Sequence, residues 1–252
     1  MKKITALTMD HYLFSGKVEG EISTLTFKDI PMSHVTDIEA KETLFDSLES
    51  VSSHEDIKVL LIKGAPVKMT PEEYINFYRK LITSDVNLLP LERMYNAINQ
   101  FIMKLVDLDK IVIHVDSGNV ILLFMNISLA CDYRIVADNT IYKNPSIELN
   151  VVPKGGGVFF LSKMLGSVAA SRILYSGEDI TADQAYQMSI VDQVVPLKDL
   201  EQKALEKAQR FVQLPCGYAV GIKKLLNFDL KELNRYLEFE SELLRRLVQS
   251  CK

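Results

Sequence analysis

His114 and Asp116 stand at the end of an apolar strand, just before an apolar helical stretch, and an imidazole and a carboxylate so placed can take up and return a proton. Glu148 is the third acid–base candidate. Each has a plainer role. A single histidine on an apolar strand is more often a hydrogen-bonded core residue, Asp116-Ser117-Gly118 is good turn chemistry, and Glu148 can face solvent. Lys154-Gly155-Gly156-Gly157 is rich in glycine, but no Lys-Ser or Lys-Thr follows, so it is not a phosphate-binding loop and reads as a flexible connection. No serine, histidine and aspartate order suggests a hydrolase triad. Cys131, Cys216 and Cys251 and the four histidines lie far apart, without metal-ligand spacing, so no metal site is expected and a reducing compartment suits the chain.

The elements that carry these residues alternate. Gly20-Glu21 separates Lys17-Val18-Glu19 from Ile22 to Phe27, as in a hairpin. Ser33 to Ser50 has its apolar residues at helical spacing and Val59 to Ile62 is a buried strand, which gives a strand, helix, strand order and a parallel sheet. Thr70-Pro71-Glu72-Glu73 sets a cap, a proline at the first helical position and an acid three residues after the cap, which opens a helix to about Ile82. A second helix is predicted from Pro90 to Leu108. Lys110 to Val115 is a strand, Val120 to Ala130 a central helix with little exposed face, and Tyr133 to Ala137 a further strand that turns at Asp138-Asn139. Helices follow over Val158 to Leu165, Ser167 to Tyr175 and Thr181 to Met188, then a short strand from Val191 to Val195. Beyond Leu197 the pattern is helical throughout, with amphipathic stretches at Glu201 to Leu214 and Leu230 to Gln249, so a boundary is placed near Pro196.

Composition narrows the function classes. With 252 residues, 48% hydrophobic, 25% charged, 11 Gly and 8 Pro, the chain can build a large core and is not a disordered or fibrous protein. A net charge of -4 and a pI near 5.7 leave no general attraction to nucleic acid or anionic lipid, so neither is expected as a partner. The longest apolar run, Val120 to Met125, is far short of the roughly 20 residues a membrane span needs. Thr5, Thr8 and Asp10-His11 interrupt any secretory leader after Met1-Lys2-Lys3, so a cytoplasmic protein is expected.

Between Lys110 and Pro196 the residues resemble a known family. Ile113 to Gly118, Ser128 to Ala137, Pro145, Pro153 with Gly156-Gly157, and Ser176 to Ala185 are similar to the enoyl-CoA hydratase/isomerase (crotonase) superfamily, in order and without a gap. The resemblance implies an α/β fold, a spiral of repeated ββα units over 1–196, with a helical oligomerisation region over 197–252 that builds a homotrimer or homohexamer. It implies an acyl thioester as substrate, carried by coenzyme A or an acyl-carrier protein, with no cofactor beyond the coenzyme A of the substrate. Two backbone N–H groups would hold the thioester enolate, as fixed dipoles that meet charge where it develops. By ungapped count those positions fall on Glu73 and Leu123, with Ala65, Leu122 and Phe124 lining the substrate.

The departures shape the expectation. Leu122-Leu123-Phe124 replaces the family's glycine run at the mouth of the central helix, either as core packing or as a reshaped pocket wall, and Glu73 is also the acid of the capping box. The family's two hydratase acids fall on Asn126 and Ser146, neither of which can act as a general base near neutral pH. Paired-acid hydration is therefore not expected. Isomerisation, decarboxylation or thioester hydrolysis through a stabilised enolate is expected instead, or else a catalytically inert subunit that binds a ligand or partner.

Overall fold

The computed structural model describes residues 7–29, 37–65, 68–83 and 89–250. In chain order the elements are β1 (Met9–Asp10), β2 (Phe14–Glu19), β3 (Ile22–Phe27), α1 (Ile38–Ser53), β4 (Val59–Lys63), α2 (Pro71–Thr83), α3 (Leu89–Asp107), β5 (Ile111–Asp116), β6 (Asn119–Ile121) and α4 (Leu122–Ser128). The second half continues with β7 (Tyr133–Ala137), β8 (Ile141–Lys143), α5 (Gly157–Leu165), α6 (Ser167–Ser176), β9 (Ile180–Thr181), α7 (Ala182–Gln187), β10 (Gln193–Val195), α8 (Leu200–Val212), α9 (Cys216–Leu226) and α10 (Leu230–Ser250). Val35 and the start of the helix expected from Ser33, together with Pro66, Val67 and Cys251, lie outside the described residues.

Seven strands form the main sheet in the order β1-β2-β3-β4-β5-β7-β10. The first three are antiparallel and the rest parallel, while β6, β8 and β9 make a second, smaller sheet. The β2–β3 hairpin turns at Gly20, whose φ of 60° suits a residue without a side chain. β4 and β5 are apolar on both faces because both are covered, as parallel strands usually are. Val59 and Leu61 with Ile111, Ile113 and Val115 meet Leu200, Ala204, Ala208 and Val212 of α8, where the two alanines keep the helix close to the sheet. The alternate residues, Leu60, Ile62 and Val112, face the larger core with α1, α3 and α4. His114 and Asp116 follow Val112 at the strand's period of two and so lie on that second face.

The central helix begins later than expected. Val120 and Ile121 pair with Tyr142 and Lys143 in the small sheet, and the helix occupies only Leu122–Ser128. α9 falls in the region expected to be helical throughout, though its bounds were not foreseen, and its Lys223 is buried, donating to the carbonyls of Leu105 and Lys110 and to the Asp132 carboxylate. Leu233, Leu237, Leu244 and Val248 of α10 are buried in the larger core, where α10 packs on α3. The outer face of α9 is bare: Tyr218, Ile222, Leu225 and Leu226 are exposed, as is Phe228 just beyond.

Candidate functional site

A cavity of about 190 Å³ lies between the second face of the sheet, α1, α3 and α4. Phe14, Leu44, Phe101, Leu123 and Phe124 supply apolar wall, and Ala65 and Met69 close it beyond β4. At its sheet side stand Lys68, His114 and Asp116.

The strand pleat brings His114 and Asp116 together, as β5 presents alternate residues to one side. His114 Nε2 is 4.0 Å from Asp116 Oδ2. Asp116 Oδ1 accepts from the Ser117 N–H at 2.8 Å and from the Lys68 ammonium, which forms a partly buried ion pair with it. Gly64, whose N–H bonds the Val115 carbonyl, lies directly over this carboxylate, and a Cβ there would overlap it. Burial pulls the His114 imidazole down to about 4, against the Asp116 charge that pushes it up and with the Lys68 and Arg134 charges that push it further down. The ring is neutral at neutral pH, and its Nδ1 has no hydrogen-bond partner among the described residues. The sequence candidates His114 and Asp116 are thus brought into one site. Lys68 was missed, since its partner lies 48 positions away and nothing local signals it.

The three residues in place of the glycine run divide. Leu123 and Phe124 line the cavity, whereas Leu122 is buried in the core and does not, which corrects its expected place against the substrate. The Leu123 amide lies in the first turn of α4, where no helical carbonyl is in reach to pair it. Ala65 also lines the cavity.

Asn126 and Ser146 are buried but stand outside the cavity walls. Asn126 donates from Nδ2 to the Lys154 carbonyl at 2.9 Å, and Gly155 and Gly157 press on its side chain. Its Oδ1 has no partner among the described residues. Ser146 sits in the turn after β8, where its carbonyl accepts from the Leu149 and Val151 N–H groups, and its hydroxyl reaches the buried phenol of Tyr74. Burial pushes that phenol up to about 12. Glu148 is exposed, which removes it from the site. At Glu73 the structure shows the capping box in full: its carboxylate accepts from the Thr70 N–H at 2.8 Å and its own N–H donates to Thr70 Oγ1 at 3.1 Å. The amide assigned to the oxyanion hole is therefore already engaged, and Glu73 does not line the cavity.

Sequence reading also missed a buried ionic cluster. Lys154 Nζ meets Glu240 Oε2 at 2.6 Å and donates to Asn99, with both charged side chains almost wholly buried. The Gly155 and Gly156 N–H groups donate to the same carboxylate at 3.2 and 2.9 Å. The glycine loop is thus clamped by α10 rather than free, which corrects the expected flexible connection, and its φ values of 100° and 74° explain the glycines. Among the described residues no group of three or more His, Cys, Asp or Glu could hold a metal ion, and no helix is long and apolar enough to cross a membrane.

Comparison with known proteins gives a consistent result. The family model described as Enoyl-CoA hydratase/isomerase matches residues 91–252. A crotonyl-CoA hydratase of Syntrophomonas wolfei is 26% identical over 69% of this chain and 69% of its own length. A trans-2-decenoyl-[acyl-carrier-protein] isomerase of Streptococcus mutans is 25% identical over 95% of this chain and 91% of its own. Among solved structures, the enoyl-CoA hydratase of Bacillus halodurans superposes with a TM-score of 0.81 at 17% identity, covering 94% of this chain and 95% of the other. An enoyl-CoA hydratase of Mycobacterium avium gives 0.77 at 18%, covering 95% and 91%. These superpositions carry the fold: an α/β crotonase-like core with helices at its C-terminal end.

Proposed function

The chain belongs to the enoyl-CoA hydratase/isomerase family, and from that premise we propose that it acts on an acyl thioester, of coenzyme A or an acyl-carrier protein, by stabilising the enolate rather than by adding water. One observation carries the reading: the apolar cavity reaches the Leu123 wall while Asn126 and Ser146, at the positions of the hydratase acids, lie outside it without a carboxylate. Hydration needs a group that activates water, and neither a carboxamide nor a lone hydroxyl does so near neutral pH. Isomerisation needs only a proton moved along the acyl chain, and a relative matched over 95% of this chain is a trans-2-decenoyl-[acyl-carrier-protein] isomerase. The apolar walls suit an acyl chain, and the Leu123 amide at the start of α4 is the donor available to a thioester oxygen.

A second reading, a ligand-binding subunit without turnover, draws support from Glu73, whose amide is taken up by Thr70 and leaves the enolate one donor short. Calorimetry and mass spectrometry, with the absorbance of the conjugated enoyl thioester to detect isomers of equal mass, decide between them on a panel of acyl-CoA and acyl-carrier-protein thioesters. Binding with a shifted double bond supports the first, binding without any product the second, and no binding removes both. We further propose assembly as a homotrimer or homohexamer, supported by the bare apolar face of α9 and Phe228.

A further inference from the structure

We propose that His114 is the group that takes and returns the substrate proton in this cavity, with Asp116 as its positioning residue. The inference rests on the thioester reading above and names the proton-transfer group that reading lacks.

Four observations point the same way. His114 lines the cavity that Leu123 also lines, so a thioester whose oxygen meets the Leu123 amide is in the same enclosure as the imidazole. Its Nδ1 is buried out of reach of the cavity, and Nε2 carries no hydrogen bond among the described residues, so Nε2 is the nitrogen left to meet a ligand. The Asp116 carboxylate lies 4.0 Å from Nε2, too far to bond the neutral ring but near enough to stabilise a proton that arrives there. Asp116 itself is fixed, by the Ser117 N–H, by Lys68 and by the close approach of Gly64, so its charge stays beside the ring.

The step balances without a co-reactant. His114 Nε2 takes the proton from C2 of the acyl group. The C–H electron pair forms the C1–C2 double bond of the enolate, and the carbonyl pair moves to the thioester oxygen, towards the Leu123 amide. The imidazolium forms beside the Asp116 carboxylate, which stabilises its charge. Return of the proton to C2 restores the thioester, and delivery to C4 of a 3-enoyl thioester places the double bond between C2 and C3. The resting ring is held neutral by burial, so it starts in the accepting form.

Solvent deuterium exchange tests this with a substrate that cannot isomerise. Octanoyl-CoA is incubated with the full chain in D₂O, and its mass is followed while calorimetry measures its Kd. The wild-type protein is expected to exchange C2 protons. His114→Gln is expected to lower that rate about 100-fold or more while leaving Kd within about threefold, since general-base groups contribute about 10²–10⁴-fold. Asp116→Asn should lower the exchange rate too, and should move the ¹⁵N resonances of the His114 ring, which a purely structural role would not. Nitrogen shifts of the wild-type imidazole on adding octanoyl-CoA give a readout that needs no variant to fold. Exchange that survives in His114→Gln overturns the assignment. Binding without exchange, or ring resonances unmoved by bound octanoyl-CoA, overturns it and leaves thioester binding intact. No binding removes the thioester reading and the assignment with it.

Discussion

Gly157 and Asn126 are packed so closely that a methyl group on the glycine would overlap the carboxamide of the asparagine. Asn126, which the resemblance sets at a hydratase acid position, is therefore held against the glycine loop by shape as well as by its bond to the Lys154 carbonyl. Gly157→Ala is expected to destabilise the fold by about 1–3 kcal/mol, the usual cost of overpacking. Adding Asn126→Ala should recover part of that loss. Urea unfolding of the single and double variants measures it, and strictly additive losses would mean that the two residues do not share the strain.

Crotonyl-CoA is expected to remain unhydrated. Asn126 and Ser146 are buried, outside the cavity, and carry no titratable group. Loss of the enoyl absorbance during incubation with the protein is the measurement. Rapid turnover that persisted in Asn126→Ala and Ser146→Ala would place the water-activating group elsewhere.

Leu123 limits what fits. Leu123→Gly enlarges the cavity at its α4 wall and should strengthen binding of longer acyl thioesters by about tenfold to a hundredfold, the equivalent of relieving about 1–3 kcal/mol of overpacking. The stability cost exceeds that of a glycine near a helix start, because the leucine is almost fully buried and its loss alone costs about 2–5 kcal/mol. Leu123→Ala is the safer companion. Calorimetry on folded variants with unchanged affinity would show that the side chain packs the core without limiting the ligand.

Acid should weaken the fold through His114. Its folded value of about 4 lies below the unfolded value of about 6.5, so between these two the unfolded chain binds more protons and stability falls as pH falls. Full stability from this group is present above about pH 6.5 and lost progressively towards pH 4, an effect of about 3 kcal/mol. The charges facing it are Asp116, Lys68 and Arg134. Unfolding curves of wild type and His114→Gln across this range should differ in slope, and identical slopes would show that the ring titrates normally.

The exposed face of α9 should be covered in solution. Sedimentation is expected to show no stable 28.6 kDa species, and Leu226→Glu to produce one by placing a charge in the apolar patch. A monodisperse wild-type monomer at micromolar concentration would rule out the assembly.

What the sequence revealed follows from range. β4 and β5 announce themselves because burial on both faces makes Val59 to Ile62 and Ile111 to Ile113 continuously apolar, and α2 and α7 because Thr70 with Glu73 and Thr181 with Gln184 write their caps within four residues. β6, β8 and β9 are two or three residues long, too short to show a period. α9 carries Gly217 and Gly221 and leaves its apolar side bare, so neither propensity nor amphipathic pattern marks it. Within the site, His114 and Asp116 were legible as chemistry, whereas the unbonded Nδ1 and the Lys68 partner exist only in three dimensions. Ala65, Leu123 and Phe124, set by resemblance, line one cavity, while Leu122 and Glu73, set by the same resemblance, and Glu148, read from the residues alone, do not.

The clamp on the glycine loop also sets an order of events during biosynthesis. Glu240 follows Lys154 by 86 residues, so a ribosome adding about 5–20 residues per second delivers the lysine roughly 4–17 s before the carboxylate that neutralises it. Until α10 emerges, an ammonium group destined for the interior has no counter-charge from that helix, and the two loop amides have no acceptor there. Because a buried ammonium without a counter-charge is costly, the wall behind Asn126 is expected to set only after α10 has emerged.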